Sequence, residues 1–248
     1  MEVHHHPHVE KKSFKEYLLE GLMIFLAVTM GFFAESIREH ITESKHEVEY
    51  MKSLVNDLQL DTAYIKRSNE ARDTAILASR ILLQYFKENP SAFKWPAESH
   101  MLMSKSNALK IFINHSGTID QLKSSGSIRL VRNKEIVDAI ESYYNQIKRI
   151  DNLNSLYLSH QQHGFELVSK LIIAKDDINN YDSLFQYKKD LSASLYFTLN
   201  ESYFKEYLNN LTYRLHLNAG GKQIHQEILV KAVQLIGKIK EEYHLEKN

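Results

Sequence analysis

The chain has 248 residues, 31 basic and 31 acidic side chains, 13 His and no Cys. A formal net charge of zero disfavours a nucleic-acid binder that works through a broad basic face, because no surplus cation is present to neutralise phosphates. The lack of Cys excludes disulfides, thiolate zinc sites, Cys-held iron–sulfur clusters and Cys nucleophiles, and 8 Gly with 3 Pro disfavour a turn-rich β-sandwich or barrel.

Residues 1–13 form a His-rich, basic tail. His4, His5, His6 and His8 make the densest ligand cluster in the chain. Neutral imidazole binds zinc, copper or nickel, and these four rings could chelate one ion. The competing reading is a solvated tail, since Pro7 interrupts the cluster and partly protonated rings would sit against anionic headgroups beside Lys11 and Lys12.

Residues 14–36 read as a transmembrane helix. From Gly21 to Ala34 there are 14 residues without a charge, which span only roughly 21 Å at the helical rise. Extending the run to Tyr17 gives roughly 27 Å and includes one acid, Glu20, within a turn of the boundary, where headgroups and water solvate it. Phe14 and Tyr17 flank one end and Phe32 and Phe33 the other, as interfacial rings do. A signal peptide cut near Thr29-Met30-Gly31 and a buried core helix are the alternatives. Lys11, Lys12 and Lys15 lie tightly before the run. The positive-inside rule therefore expects a cytoplasmic N-terminus, with residues 37–248 outside the inner membrane.

Residues 37–88 read as a long juxtamembrane helix or helix pair, with no Gly or Pro between Phe32 and Asn89. A small face, Ala27, Gly31 and Ala34, continues into Ile37, Ile41, Ser44, Val48, Met51, Val55, Leu58, Thr62 and Ile65. From Ile37 the spacing alternates 4 and 3, the seam of a coiled coil. Small residues one turn apart also let helices approach closely in lipid. The seam serves either self-association or packing against the chain's own later helices. Asp61-Thr62 could start a new helix.

Residues 89–248 read as a helical bundle domain. Asn89-Pro90 and Trp95-Pro96 mark the first break. Helices are expected over 101–113 and 118–125, with Thr118 as N-cap and Gly126 as the residue after the end. Asn133 caps the next helix, whose face carries Ile136, Ala139, Ile140, Tyr143, Ile147 and Ile150, with Val131 placed to staple its first turn. Residues 165–173 form a short apolar segment, and 191–199 suit a strand or a helix. An amphipathic helix over 203–217 is expected to turn at Ala219-Gly220-Gly221 before a last helix over 224–239. The fold class is all-α: a transmembrane helix, a long juxtamembrane helix, then a bundle with antiparallel neighbours.

The opening MEVHHHPHVEKKSFKEYLLEGLMIFLAVTMGFFAESIRE resembles the N-terminus of a group of uncharacterised Bacteroidetes single-pass membrane proteins. These join a His-rich start, a basic turn, one transmembrane helix and a helical domain of unknown function. The stretch TIDQLKSSGSIRLVRNKEIVDAIESYY, Thr118 to Tyr144, resembles a segment that recurs in the same group. The resemblance implies a native His cluster and an uncleaved anchor, and it carries over no catalytic residue.

Assembled chemistry is otherwise sparse. The Glu-x-x-His pairs Glu43/His46 and Glu241/His244 are those of a carboxylate-bridged di-metal bundle, but the first lies beside the seam and the second near the C-terminus. His160, His163 and Glu166 share a helix face. Ser124-Ser125-Gly126-Ser127 and Gly220-Gly221-Lys222 have the residues of a phosphate loop without its spacing. Asn114, Asn200 and Asn210 begin Asn-x-Ser/Thr sequons. The expectation is a non-enzymatic membrane-anchored scaffold or complex subunit without a cofactor. Its partners are the lipid bilayer and either a second copy of the chain or another membrane protein. The rival is a metal-responsive sensor or metalloprotein using the N-terminal histidines or a Glu/His set.

Overall fold

A computed structural model of the chain describes residues 13–88, 99–108, 111–174, 195–197 and 201–245. The predicted ligands His4, His5, His6 and His8 and the breaks at Pro90 and Trp95-Pro96 lie outside the described residues. The fold is all-α, apart from one short antiparallel pair of strands. The elements are α1 (Phe14–Glu88), α2 (Ser99–Ser106), α3 (Gly117–Ser124), a 3-10 turn (Ser127–Leu130), α4 (Lys134–Leu171), β1 (Ile172–Ala174), β2 (Leu195–Phe197) and α5 (Glu201–Glu242). The chain divides into two units, Met1–Tyr50 and Met51–Asn248.

Helix α1 begins on a half capping box, where the Ser13 backbone N–H donates to Glu16 Oε2 at 2.7 Å. It does not break at Asp61-Thr62. The Thr62 hydroxyl donates back to the Gln59 carbonyl at 2.8 Å, so it serves the helix interior rather than a new cap. Residues 51–88 of this helix fall in the second unit.

In the second unit three long helices pack together. Asp61 meets Tyr143, Arg72 lies near Tyr157, and Leu82 and Phe86 join Leu167 and Leu171, so α1 and α4 run in the same direction. Helix α5 runs against both. Phe204 stacks edge-on against Phe86, Asn218 reaches Arg72, and Lys222 pairs with Asp73. Parallel α1 and α4 differ from the all-antiparallel bundle expected from short connections. The described part of the segment between them, 99–108 and 111–133, returns along the bundle as a fourth layer. It is held by Gln161 Nε2 donating to the Asn107 carbonyl (2.7 Å) and Asn154 Nδ2 donating to the Phe112 carbonyl (3.2 Å). Residues 111–116 belong to no helix or strand, and the helix expected over 101–113 stops at Ser106.

The buried stripes keep heptad spacing. On α5 they are Tyr207, Leu211, Arg214, Asn218, Gly221, His225, Ile228, Ala232, Leu235 and Ile239, alternating 4 and 3 throughout. The expected turn at Gly220-Gly221 is absent, and the helix runs straight through. Gly221 is there for packing: a Cβ on it would lie 2.7 Å from Arg72 Nη1 and 3.0 Å from Leu153 Cδ2. Helix α4 likewise takes in 165–171 of the segment expected as separate, whose last residues, Ile172 and Ile173, are in β1. Its N-cap is the expected Asn133, whose Oδ1 accepts from the Glu135 N–H at 2.9 Å and the Ile136 N–H at 3.4 Å. The residue Gly126, with φ of 69°, follows the end of α3 as expected, in the left-handed region that glycine tolerates. Thr118 is not the cap of α3; its own backbone N–H is bound by the Asp57 carboxylate at 3.2 Å. The ambiguous segment 191–199 contains β2, which pairs with β1 in the register Ile172 to Phe197.

Candidate functional site

The predicted seam divides into two parts. Met51, Leu58 and Ile65 are fully buried and Val55 nearly so, within the chain's own bundle unit. Intramolecular packing therefore occupies that part of the seam, and these side chains are not available to a partner. Ala27, Gly31, Ala34, Ile37 and Ile41 are all exposed, and Val48 is half-buried. Every large apolar side chain from Leu18 to Phe33 is exposed. This part of α1 contains an 18-residue window of mean hydropathy 1.9 with none of it buried, long and apolar enough to cross a membrane.

Inside the bundle, two polar sites stand out. The first is Asp61, fully buried. Its Oδ1 accepts from the His115 backbone N–H at 2.7 Å and lies 2.8 Å from His115 Nδ1, while its Oδ2 accepts from the Tyr143 hydroxyl at 2.6 Å. Tyr144 adds a hydroxyl bond to the His115 carbonyl at 3.4 Å. Burial pushes the Asp61 carboxyl above its ordinary value, against the opposing effect of its donors. Burial and the neighbouring Asp61 charge push the Tyr143 phenol up as well, so it stays protonated and donates. The arrangement straps the connecting segment to α1 and α4. The half-exposed His115 ring is held by its Nδ1.

The second site is a cationic layer. Arg72 and Arg214 are both fully buried and are the two largest side chains so enclosed. Arg72 Nη1 donates to Asn218 Oδ1 at 3.2 Å, and Asn218 Nδ2 donates to the Tyr157 hydroxyl at 3.2 Å. The Arg72 guanidinium lies 5.8 Å from the Tyr157 ring centre. Arg72 Nε and Nη2, and Nε, Nη1 and Nη2 of Arg214, have no hydrogen-bond partner among the described residues. Gly164 makes room beside Arg214: a Cβ there would lie 2.9 Å from Asn210 Oδ1 and 3.5 Å from Arg214 Cζ. Near Arg72 stands His225, fully buried, with Nδ1 2.9 Å from Asn69 Oδ1. Burial, and secondarily the Arg72 charge, pull the His225 imidazole down to about 3, so it is neutral across the physiological range.

The predicted metal ligands are engaged elsewhere. His163 lies 2.9 Å from Glu206 and 3.7 Å from Glu166, and His160 stacks on Tyr213 at 4.2 Å. His46 lies near Glu49 at 3.7 Å. Glu241 and His244 line a surface cleft with Glu135, Lys238 and Glu242, where Lys238 pairs with Glu135 and Asn133 with Glu242. Among the described residues, no three His, Asp or Glu side chains converge as metal ligands.

Asp61 and the two arginines escaped sequence reasoning because the seam was placed on Thr62, where the structure buries Asp61, and was followed only as far as Ile65. Continuing the 4 and 3 spacing beyond Ile65 lands on Ser68, Arg72, Ala75, Ser79, Leu82 and Phe86, all of them buried. Searches against known protein families, curated proteins and solved structures give no match to this chain.

Proposed function

We propose that this chain is a single-pass, membrane-anchored helical protein that acts as a non-enzymatic scaffold or complex subunit through contacts with other proteins. The observation that carries this reading is the bare apolar stretch of α1. A contiguous surface of that hydropathy is costly in water and is covered when lipid surrounds it. The bundle from Met51 onward has its own buried core, so the apolar stretch is not needed to fold it. The exposed small face of Ala27, Gly31 and Ala34, with Ile37 and Ile41 beyond it, suits a second copy of the chain or another membrane protein. The lysines ahead of the stretch favour a cytoplasmic N-terminus at a bacterial inner membrane, with the bundle in the periplasm. The resemblance of the opening residues to Bacteroidetes membrane proteins agrees with that placement.

The test is fractionation of cells making the untagged chain, with alkaline carbonate extraction and protease treatment of spheroplasts. The protein is expected to stay in the membrane pellet, and its bundle to be cut only from outside. Release by carbonate would overturn the anchor; protection of the bundle in intact spheroplasts would overturn the orientation.

A further inference from the structure

We propose that the connecting segment from Phe112 to Thr118 is a proton-controlled latch, held to α1 and α4 more tightly when the Asp61–His115 pair carries an added proton than when it does not. The Asp61 carboxylate is fully enclosed, and three donors meet it: the His115 backbone N–H at 2.7 Å, the His115 Nδ1 at 2.8 Å and the Tyr143 hydroxyl at 2.6 Å. An amide and a phenol bring no net charge, so the imidazole is the one partner among these that can become a cation. The other groups around the pair do not supply the missing charge. On α1, one turn earlier, Asp57 accepts from the Thr118 N–H at 3.2 Å. On α3, Asp120 adds a further acid, and Lys123 Nζ lies 5.9 Å from the Tyr144 ring centre. On α4, burial and the neighbouring acids push the Tyr143 and Tyr144 phenols up, so both stay protonated and neutral. The buried stripe of α5 beyond His225 is Ile228, Ala232, Leu235 and Ile239, with no titratable group.

Without an added proton the pair is a net negative charge inside the bundle, among further acids. With one it is neutral overall, as a carboxylate against an imidazolium or as two neutral groups. Burial pushes the Asp61 carboxyl up in spite of its donors, so the closed latch holds a proton more tightly than the open one, in which water meets both side chains. A state that binds the proton more tightly is favoured as pH falls and loses that advantage as pH rises. This sign is opposite to that of His225, whose imidazole burial pulls down. The proton has a route to the pair, because the His115 side chain is 42% exposed while that of Asp61 is 0% exposed. Opening the latch would also withdraw Phe112, 1% exposed, from its edge contacts with Tyr64 at 6.1 Å and His225 at 5.9 Å.

The experiment is amide hydrogen exchange of the full chain in detergent micelles, corrected for the intrinsic pH dependence of exchange and read at the His115 and Thr118 N–H groups. The Leu167 amide, in the buried core of α4, is the internal reference. Protection of the two latch amides relative to Leu167 is expected to rise as pH is lowered from about 8.5 to about 5, by up to about tenfold per pH unit and by about threefold or more in all. His115→Gln keeps the backbone N–H and a side-chain donor but takes up no proton, and Asp61→Asn keeps an acceptor without its charge. Both are expected to lose the rise, whereas His216→Gln, an exposed histidine of α5, keeps it. Protection that is flat with pH in the wild type, or falls toward acid, overturns the latch. So does a rise of wild-type size in His115→Gln, which would place the proton elsewhere. If His115→Gln does not fold, the same reading is taken from Asp61→Asn.

Discussion

From Leu22 to Phe33, α1 carries no charge and its large apolar side chains are exposed; from Met51 to Phe86 it is buried along one stripe, and that stripe carries Asp61, Ser68, Arg72 and Ser79. Polarity and burial are thus inverted along a single helix. The inversion reflects two solvents for side chains. The upstream stretch meets its surroundings through side chains that ask for no hydrogen bond. The downstream stripe uses polar groups that bind only when one particular partner stands opposite. A helix whose stripe is wholly apolar can slide by a heptad at little cost, whereas Asp61 and Arg72 fit opposite His115 and Asn218 and nowhere else along the bundle.

The sharpest way to break the comparison is to remove a polar group from the buried stripe. Asp61→Ala leaves the His115 N–H and the Tyr143 hydroxyl without their acceptor, and is expected to lower unfolding free energy by about 3–4 kcal/mol in urea titrations. The converse is a charge placed on the bare stretch. Leu26→Arg should disfavour membrane insertion by about 3 kcal/mol, read as protein moving from the membrane pellet to the soluble fraction, while the bundle's melting cooperativity is kept.

Acid gives an effect of similar kind but smaller size. The folded His225 imidazole binds its proton near 3, against an ordinary value of 6.5. Its contribution to stability is full above about pH 6.5 and declines as pH falls from there toward 3, because only the unfolded chain takes up the proton in that window. At pH 4.5 the loss is on the order of 2–3 kcal/mol relative to neutral pH. The check is the difference between wild type and His225→Phe: the variant should lack this part of the acid slope, and parallel slopes would reject the assignment.

The smallest effects contrast two glycines of α1 and α5. Gly221→Ala drives a methyl into the Arg72 guanidinium and Leu153, with an expected cost of about 2 kcal/mol in melting experiments. Gly31 has nothing within 4 Å of where a Cβ would stand. Gly31→Leu should therefore change the melting of the isolated chain by less than about 0.5 kcal/mol. It should still reduce crosslinking between copies in the membrane; unchanged crosslinking would remove Gly31 from that contact.

Much of this architecture is legible in local sequence. The bare stretch, the end of α1 before Asn89-Pro90, the Asn133 cap and the left-handed Gly126 all depend on residues within a few positions of one another. What is not legible depends on distant pairs. The Gly220-Gly221 doublet reads as a turn because local propensity sees only flexibility; its partner is Arg72, far away in sequence. The heptad seam correctly marks Met51, Leu58 and Ile65 as interface positions, but spacing alone cannot say whether the other side of the interface is the same chain. The cationic layer is the least legible part, since an arginine in an otherwise charged helix looks like surface until the spacing is followed through it.

The parallel course of α1 and α4 also dictates an order of events during synthesis. The stripe from Met51 to Phe86 is closed by α5, the last helix to be made. At 5–20 residues per second the ribosome needs roughly 8–30 s between Glu88 and Glu242. In the first part of that interval, before α4 and then α5 emerge, the nascent chain carries a finished helix whose inner stripe has no cover, with a guanidinium and a carboxylate open to water. Those charges keep the waiting stripe soluble and slow its misuse by other nascent chains, so the same groups that strain the finished interior guard it while it is incomplete.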